Sequence, residues 1–529
     1  MWMYVLLGLV GLITWAYFWV TRKFNTFTSK GIPQMTPSFP FGSPNVFKLL
    51  RGQTAFVELL DEAYTDFPNA KVVGQFQFGE PQVVINDLDL VKNVLIKDFD
   101  HFVDRRSVDM EGDNKVNRIF SKMLTNLKGE QWKAMRTVVS PVFTSGKLKT
   151  MTALLNKVGD DFVEHMKQYI VSGEEFNAKE VYTNFTLDSI GTCGFGLEAE
   201  TLKHPNNLFR QMVRRLTDMD QVKQMVKFFL ITICPWITKF IRLNFFDAKA
   251  TEFFLDIIER TMNDRRKNKI RRNDLIDLLL DAAKQDSADI PSEVETDLYD
   301  LDAAVHVTRR ASIPDEDIEI FILSNAFLLF FAGFDTTSSQ MAIITYFLAK
   351  HQDVQERLAA EIQEAVRDNN GREQLDYNTI QTLPYLDQVV HEATRMYPLT
   401  LLERLCVKDY KIPGVNFTIP AGMLVEIPSP NIMKDPKYFP NPHEFNPENF
   451  SPEAKAQRTP YAYLAFGQGP RNCVGMRFAL LQLKLSLVRL LSHYKVETSA
   501  RTPTQLKPDP RSSSLQPLGG VWVQATARS

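Results

Sequence analysis

The 529 residues include only four cysteines, Cys193, Cys234, Cys406 and Cys473. Their number and wide spacing leave no disulfide framework and suit a reducing compartment. Charge of either sign is barely in excess: 61 basic and 63 acidic residues leave −2, so no nucleic-acid footprint is expected. No glycine-rich flavin or nicotinamide fingerprint is present, and no cysteine cluster spaced for iron and sulfur. Internal repeats and long low-complexity linkers are missing too, so one large core or two fused lobes fits the length. What the chain does have is phenylalanine. Its 38 copies suggest a large apolar interior with room for an apolar cavity.

Residues 1–20, MWMYVLLGLVGLITWAYFWV, carry no charge and are long enough to cross a bilayer. A cleaved signal peptide would have a basic segment before its apolar run; here Arg22 and Lys23 follow it. Under the positive-inside rule this predicts a single-pass anchor over 1–21 with the rest of the chain in the cytoplasm. Residues 22–45, with Pro33, Pro37, Pro40 and Pro44, read as a basic, stiff connector, and 46–529 as the globular domain. Asn184, Asn416 and Asn449 head Asn-x-Ser/Thr sites, open to glycosylation only if that topology is reversed.

Alternation predicts strands near Val72–Phe78 and Gln82–Asn86, then mostly helix from Leu88 to His351. The acid-rich stretch 284–316 reads as an exposed loop. Short strands return over Tyr410–Glu426 with a turn at Pro413-Gly414, and the broken tail from Ala500 suits a hairpin. The balance is mainly α with a minor β lobe.

The segment Phe466-Gly467-Gln468-Gly469-Pro470-Arg471-Asn472-Cys473-Val474-Gly475 holds a lone cysteine in a glycine-made turn, followed by a helical pattern from Met476. Glycines there permit backbone angles closed to other residues, and Gly475 removes a side chain where something flat must lie close. A helix N-terminus should lower the thiol's pKa and favour a thiolate. Zinc would need a second Cys or His a few residues away, and none is there. A single thiolate beside an arginine for an acidic cofactor edge points to haem ligated by cysteine. The segment resembles the Phe-x-x-Gly-x-Arg-x-Cys-x-Gly signature of the cytochrome P450 family at every fixed position, with Phe466, Arg471 and Cys473 in their places. The stretches SPVFTSGKLKTM and GMRFALLQLKL are similar to the animal microsomal branch, which includes drug-, steroid- and xenobiotic-oxidising enzymes.

Three further groups match in order. Ala332-Gly333-Phe334-Asp335-Thr336-Thr337 interrupts an apolar helix over Ile318–Lys350, begun by Pro314, Asp315, Glu316 and Asp317. Thr336 can bond back to the Ala332 carbonyl, loosening the ladder and opening a groove. By itself this is either a self-satisfied polar notch or a place for dioxygen and protons. The resemblance gives Asp335 and Thr336 the proton-delivery roles. Glu392 and Arg395 can pair on one helix face, like the family's structural Glu-x-x-Arg motif. Where many members have Pro-Glu-Arg-Phe, this chain has Pro447-Glu448-Asn449-Phe450, which removes one charge from that network. Trp132 and Arg136, four apart, are either a surface arginine packed on an indole or the family's Trp-x-x-x-Arg grip on a haem propionate. Arg404 matches a second propionate arginine, and Arg105 a third that Arg106 could replace.

The resemblance thus implies a P450-like fold holding haem b (iron protoporphyrin IX) on Cys473, inserting one oxygen atom of dioxygen into a lipophilic xenobiotic, steroid or other lipid. Electrons would come from an NADPH–cytochrome P450 reductase, with cytochrome b5 as a second donor, at the endoplasmic reticulum membrane. Lys133, Lys147 and Lys149 are either docking charges for that donor or ordinary solvated lysines. Two rivals stand beside this reading: a haem-thiolate isomerase or dehydratase acting on lipid peroxides, and a non-catalytic membrane-tethered haem protein. Expected pocket walls are Asp104–Met123, Phe228–Ile237, Phe330 and Phe334, Leu399–Leu402 and Leu518.

Overall fold

The computed structural model describes residues 2–77, 79–107, 114–218, 220, 223–224, 226–227, 244–272, 274–284, 317–369, 371–399, 401–511 and 516–528. The expected loop 284–316 lies outside the described residues from 285 onward, as do Phe228–Ile237, the helix-starting Pro314, Asp315 and Glu316, and 108–113 of the expected pocket wall.

A 33-residue helix, Ile318–Lys350, runs through the middle of the protein and spans about 50 Å at 1.5 Å per residue. It packs along the helix Ala178–Ile190 and also against Met476–His493, Pro384–Met396 and Ala248–Asn268. Because partners surround it, its second half is buried on nearly every side, as a helix apolar all round must be. Among the described residues it is also the one helix that is long and apolar enough to cross a membrane, but most of that stretch is buried in the core. At the N-terminus, Trp2–Thr21 is helical and most of its described apolar side chains, Trp2, Tyr4, Leu6 and Trp15 among them, stand exposed.

Helix starts follow local chemistry. Asn177, Asn207 and Asp247 each accept a hydrogen bond from a first-turn amide of the helix that follows. Pro384 opens Pro384–Met396, where its missing N–H costs nothing.

The β lobe is small. Strands β1 (Val72–Gln77) and β2 (Glu80–Ile85) form an antiparallel hairpin. β3 (Phe176–Asn177), β4 (Leu402–Leu405), β5 (Tyr410–Lys411), β6 (Thr418–Ile419), β7 (Leu424–Ile427), β8 (Tyr494–Thr498) and β9 (Trp522–Ala527) complete three sheets, ordered β1-β2-β7-β4, β3-β9-β8 and β5-β6. The tail does return as an antiparallel pair, but β8 starts at Tyr494, before Ala500, because the Met476–His493 helix runs straight into it. β4 had no sequence signal: four residues, Leu-Glu-Arg-Leu, are too short for alternation to stand out.

Candidate active site

The turn before Met476–His493 is built by close backbone approach. Gly467 and Gly469 have φ of +73° and +72°, and a Cβ on Gly469 would sit 1.9 Å from the Leu95 carbonyl oxygen. The Cys473 amide donates to the Phe466 carbonyl at 2.8 Å, closing the turn. At Gly475 a Cβ would meet Phe143 at 3.9 Å, an ordinary van der Waals contact. Cys473 is reachable by solvent yet deep among protein atoms. Its thiol pKa is raised by desolvation, against the lowering effects of the Gly475 amide, Arg136 and Arg105. The thiol pKa thus lies above its ordinary value, where a helix N-terminus alone would lower it. The helix begins three residues beyond the sulfur, and burial outweighs its dipole. A bound metal cation reverses that balance, since a coordinating thiol is deprotonated outright.

Around this turn lie four arginines. Arg136 donates to the Asn472 carbonyl at 3.0 Å and to Asn472 Oδ1 at 2.6 Å. Arg471 lies over the Trp132 ring, 4.7 Å from its centroid, and donates to the Leu127 carbonyl. Arg105 donates to the Arg471 carbonyl at 3.0 Å. Arg404 donates to its neighbour's carbonyl at 2.8 Å. Beyond those bonds, Arg105 Nε, Arg404 Nε and Nη2, and Arg471 Nη1 are buried with no partner. Burial and mutual repulsion pull the guanidinium pKa values down, Arg471 to about 9 and Arg404 well below its ordinary value. Three buried like charges with unfilled donors are costly unless anions join them.

Arg106 takes no part in that cluster. Its guanidinium bonds Gln77 Oε1 at 2.5 Å and Glu403 Oε2 at 3.0 Å, so of the two candidates it is Arg105 that faces Arg471.

In the central helix, Thr336 Oγ1 donates to the Ala332 carbonyl at 2.8 Å, the bond expected from sequence. The helix nevertheless stays continuous, because a carbonyl with two lone pairs can serve the hydroxyl and the ladder together. Ala332 and Thr336 are exposed and Leu328 partly so, one face at four-residue spacing, with Phe331 partly exposed at its edge. Phe330 and Phe334, expected as pocket walls, are instead buried: Phe330 contacts Phe195, Phe209 and Phe254. Asp335 also turns away from the open face. Lys179 Nζ donates to Asp335 Oδ1 at 2.8 Å, to its carbonyl at 2.7 Å, and to the hydroxyls of Ser338 and Ser339. Sequence gave no hint of Lys179, 156 residues away.

Glu392 and Arg395 form a bidentate pair at 2.6 and 2.8 Å, both fully buried. Asn449 Nδ2 and the Asn446 amide each donate to Glu392 Oε1 at 3.0 Å, so the asparagine keeps its place in the network without its charge. Lys133 pairs with Glu130 at 2.7 Å, while Lys149 is exposed and Lys147 partly buried. Leu402 is buried and Leu518 exposed.

Residues 37–522 match the family model described as Cytochrome P450. The chain belongs to the cytochrome P450 family. It is 34% identical to Cytochrome P450 9e2 of Blattella germanica, covering 97% of this chain and 96% of that protein. It is 32% identical to Probable cytochrome P450 9f2 of Drosophila melanogaster, with 97% of each covered. Against Cytochrome P450 6B2 of Helicoverpa armigera identity is 30%, over 100% of this chain and 99% of that one. As a P450 the protein is a haem-thiolate monooxygenase with haem b on a cysteine thiolate, using dioxygen, a small-molecule substrate and redox partners. The residues present fit that group: unpaired guanidinium nitrogens suit its two carboxylates, and the Cys473 thiol beside them stands exposed.

Proposed function

We propose that Cys473 supplies the iron's thiolate and that Arg105, Trp132, Arg136, Arg404 and Arg471 hold the propionates. The observation that carries this is the set of buried guanidinium nitrogens without partners beside the Cys473 turn. Phe466 fixes the cysteine through its carbonyl, and Glu392 with Arg395 braces the segment that leads to it. When bound, haem supplies the activation of dioxygen, favoured by electron donation from the thiolate. The chain's own share is to hold protons and exclude water. Thr336 Oγ1 carries a proton on the open face of the central helix. Asp335 lies behind it, tied to Lys179, so its part in proton delivery requires that ion pair to open.

The substrate is a lipophilic xenobiotic, steroid or other lipid: Leu328, Phe331 and Ala332 flank Thr336 on the open face with no charge among them. Residues 1–21 anchor the chain once in the endoplasmic reticulum membrane, 22–45 link, and 46–529 form the catalytic domain in the cytoplasm. The uncharged run followed by Arg22 and Lys23, and the exposed apolar side chains of Trp2–Thr21, support this. Electrons come from NADPH–cytochrome P450 reductase, with cytochrome b5 as a second donor. Turnover of a panel of steroids, fatty acids, terpenoids and xenobiotics with NADPH and reductase tests the reading. Product from a lipid hydroperoxide without either, and none with them, would make it an isomerase instead.

A further inference from the structure

Two neighbouring chain segments carry charged residues in consecutive pairs, and each pair splits across them. Asp104 bridges antiparallel to Leu405 at the end of β4, with the Leu405 amide donating to the Asp104 carbonyl at 2.8 Å. Just beyond that bridge lie Arg105 and Arg106; within β4 lie Glu403 and Arg404. Successive residues of a strand such as β4 point to opposite sides, and past the bridge the contacts of Arg105 and Arg106 diverge in the same way. Arg105 and Arg404 go to the arginine cluster, and Arg106 and Glu403 go the other way, over one face of the β1-β2-β7-β4 sheet. On that face the register sets Gln75 beside Gln82 and Glu403 beside Glu426.

Two carboxylates directly opposite each other repel, and Arg106 sits between them, 3.0 Å from Glu403 Oε2 and 3.5 Å from Glu426 Oε1. Its other nitrogen bonds Gln77, which Gln82 also bonds at 3.1 Å. Gln75 donates to Glu426. Nothing in the P450 reaction uses this network, yet it fixes Arg106 on three strands, β1, β4 and β7.

We propose that Arg106, clamped by Glu403 and Glu426, is a positioning residue that holds Arg105 toward the haem carboxylates. It rests on the propionate role given to Arg105 above. The clamp acts through the backbone: with Arg106 tied to the sheet, the preceding side chain is forced to the opposite side, where its Nε awaits a partner. Among the described residues, Arg106 and Glu403 are the charged groups facing Glu426. Burial first, and Glu403 next in raising it, push the Glu426 carboxyl to about 7 against the pull of Arg106. Above that pH the clamp has both carboxylates; below it Glu426 is neutral and Glu403 holds alone.

The test is the rate of haem loss from the full-length, haem-loaded protein to excess apomyoglobin. Arg105→Met should speed loss about tenfold, the factor equivalent to about 1.4 kcal/mol. Arg106→Met should speed it comparably, and the double variant should be no faster than Arg105→Met alone, because one acts through the other. Glu426→Gln, which keeps the side-chain volume and the bond to Gln75, should lose haem faster than wild type at about pH 8 and match it at about pH 6, on either side of the Glu426 transition near 7. Arg106→Met without effect, additive losses in the double variant, or a Glu426→Gln ratio equal at both pH values would overturn the clamp. If Arg105→Met itself changes nothing, the propionate assignment of Arg105 fails first, and the clamp with it.

Discussion

Lys179→Met keeps the aliphatic stem in place and deletes the ammonium that Asp335, Ser338 and Ser339 share. The side chains of Lys179 and Asp335 are 12% and 7% exposed, so the carboxylate left behind stays buried and loses the cation that bonds it. Removing one member of a buried pair costs about 3–5 kcal/mol. Unfolding entropy is about 2.1 cal/mol/K per residue, about 1.1 kcal/mol/K for this chain, so the melting temperature should fall by about 3–5 °C. Asp335→Asn should cost less, because a lysine can shed its proton. Burial already pulls the Lys179 pKa down while Asp335 holds it up. With Asp335 gone it falls further, the unfolded chain binds more protons than the folded one, and stability rises with pH. Lys179→Met combined with Asp335→Leu should recover most of the loss, since an apolar replacement of the whole pair is often neutral. The assay is thermal denaturation of the haem-loaded protein by far-ultraviolet circular dichroism. A Lys179→Met shift below about 1 °C, or a double variant as unstable as the two singles summed, would refute the buried-pair account.

Cys473→Ser should abolish both the carbon monoxide difference band of the haem-thiolate form and substrate oxidation; retention of both in purified protein would remove the ligand assignment. Thr336→Ala should still bind haem but yield less product per NADPH and more hydrogen peroxide, with a rate loss approaching the 10²–10⁴-fold (roughly) of a lost proton-transfer group. Unchanged rate and coupling would reduce it to a structural notch. Gly469→Ala should fail to accumulate as haem-loaded protein, because its Cβ would collide with the Leu95 carbonyl; normal yield and spectrum would contradict the packing of the turn. In intact microsomes, protease should remove the catalytic domain and Asn416 should carry no glycan. Asn184 and Asn449 are buried and bonded to Arg210 and Glu392, so Asn416 is the informative site, and a mobility shift on deglycosylation would reverse the topology.

What could be seen in the sequence was what lies close along the chain. The Cys473 frame is ten contiguous residues; Trp132 with Arg136 and Glu392 with Arg395 are one helical turn apart; Thr336 bonds four residues back. Each is a short-range geometry that residue spacing specifies. The hidden parts join distant segments: Lys179 to Asp335, and Arg106 to Gln77, Glu403 and Glu426. Their chemistry is ordinary charge pairing, which no local pattern marks. The pocket-facing side of the central helix was missed for a related reason. In a helix apolar all round, periodicity does not say which face meets the cavity, and Phe330 and Phe334 were as good on paper as Leu328 and Phe331. The thiol's raised pKa likewise depends on how much protein surrounds the sulfur.

Arg395 turns its remaining donors to the carbonyls of Met433, Pro442 and Glu444, at 2.8, 3.0 and 3.5 Å, while Glu392 takes the Asn446 amide and the Asn449 side chain. The stretch from Met433 to Asn446 has no strand ladder or helix of its own, so one ion pair does for it what a neighbouring strand does elsewhere. The consequence is temporal. These contacts close loops of 38 to 57 residues, and long closures come late. The segment ahead of the cysteine turn should therefore acquire its shape only after Pro384–Met396 has docked, and its amides should become protected from hydrogen exchange together, as one step, during refolding.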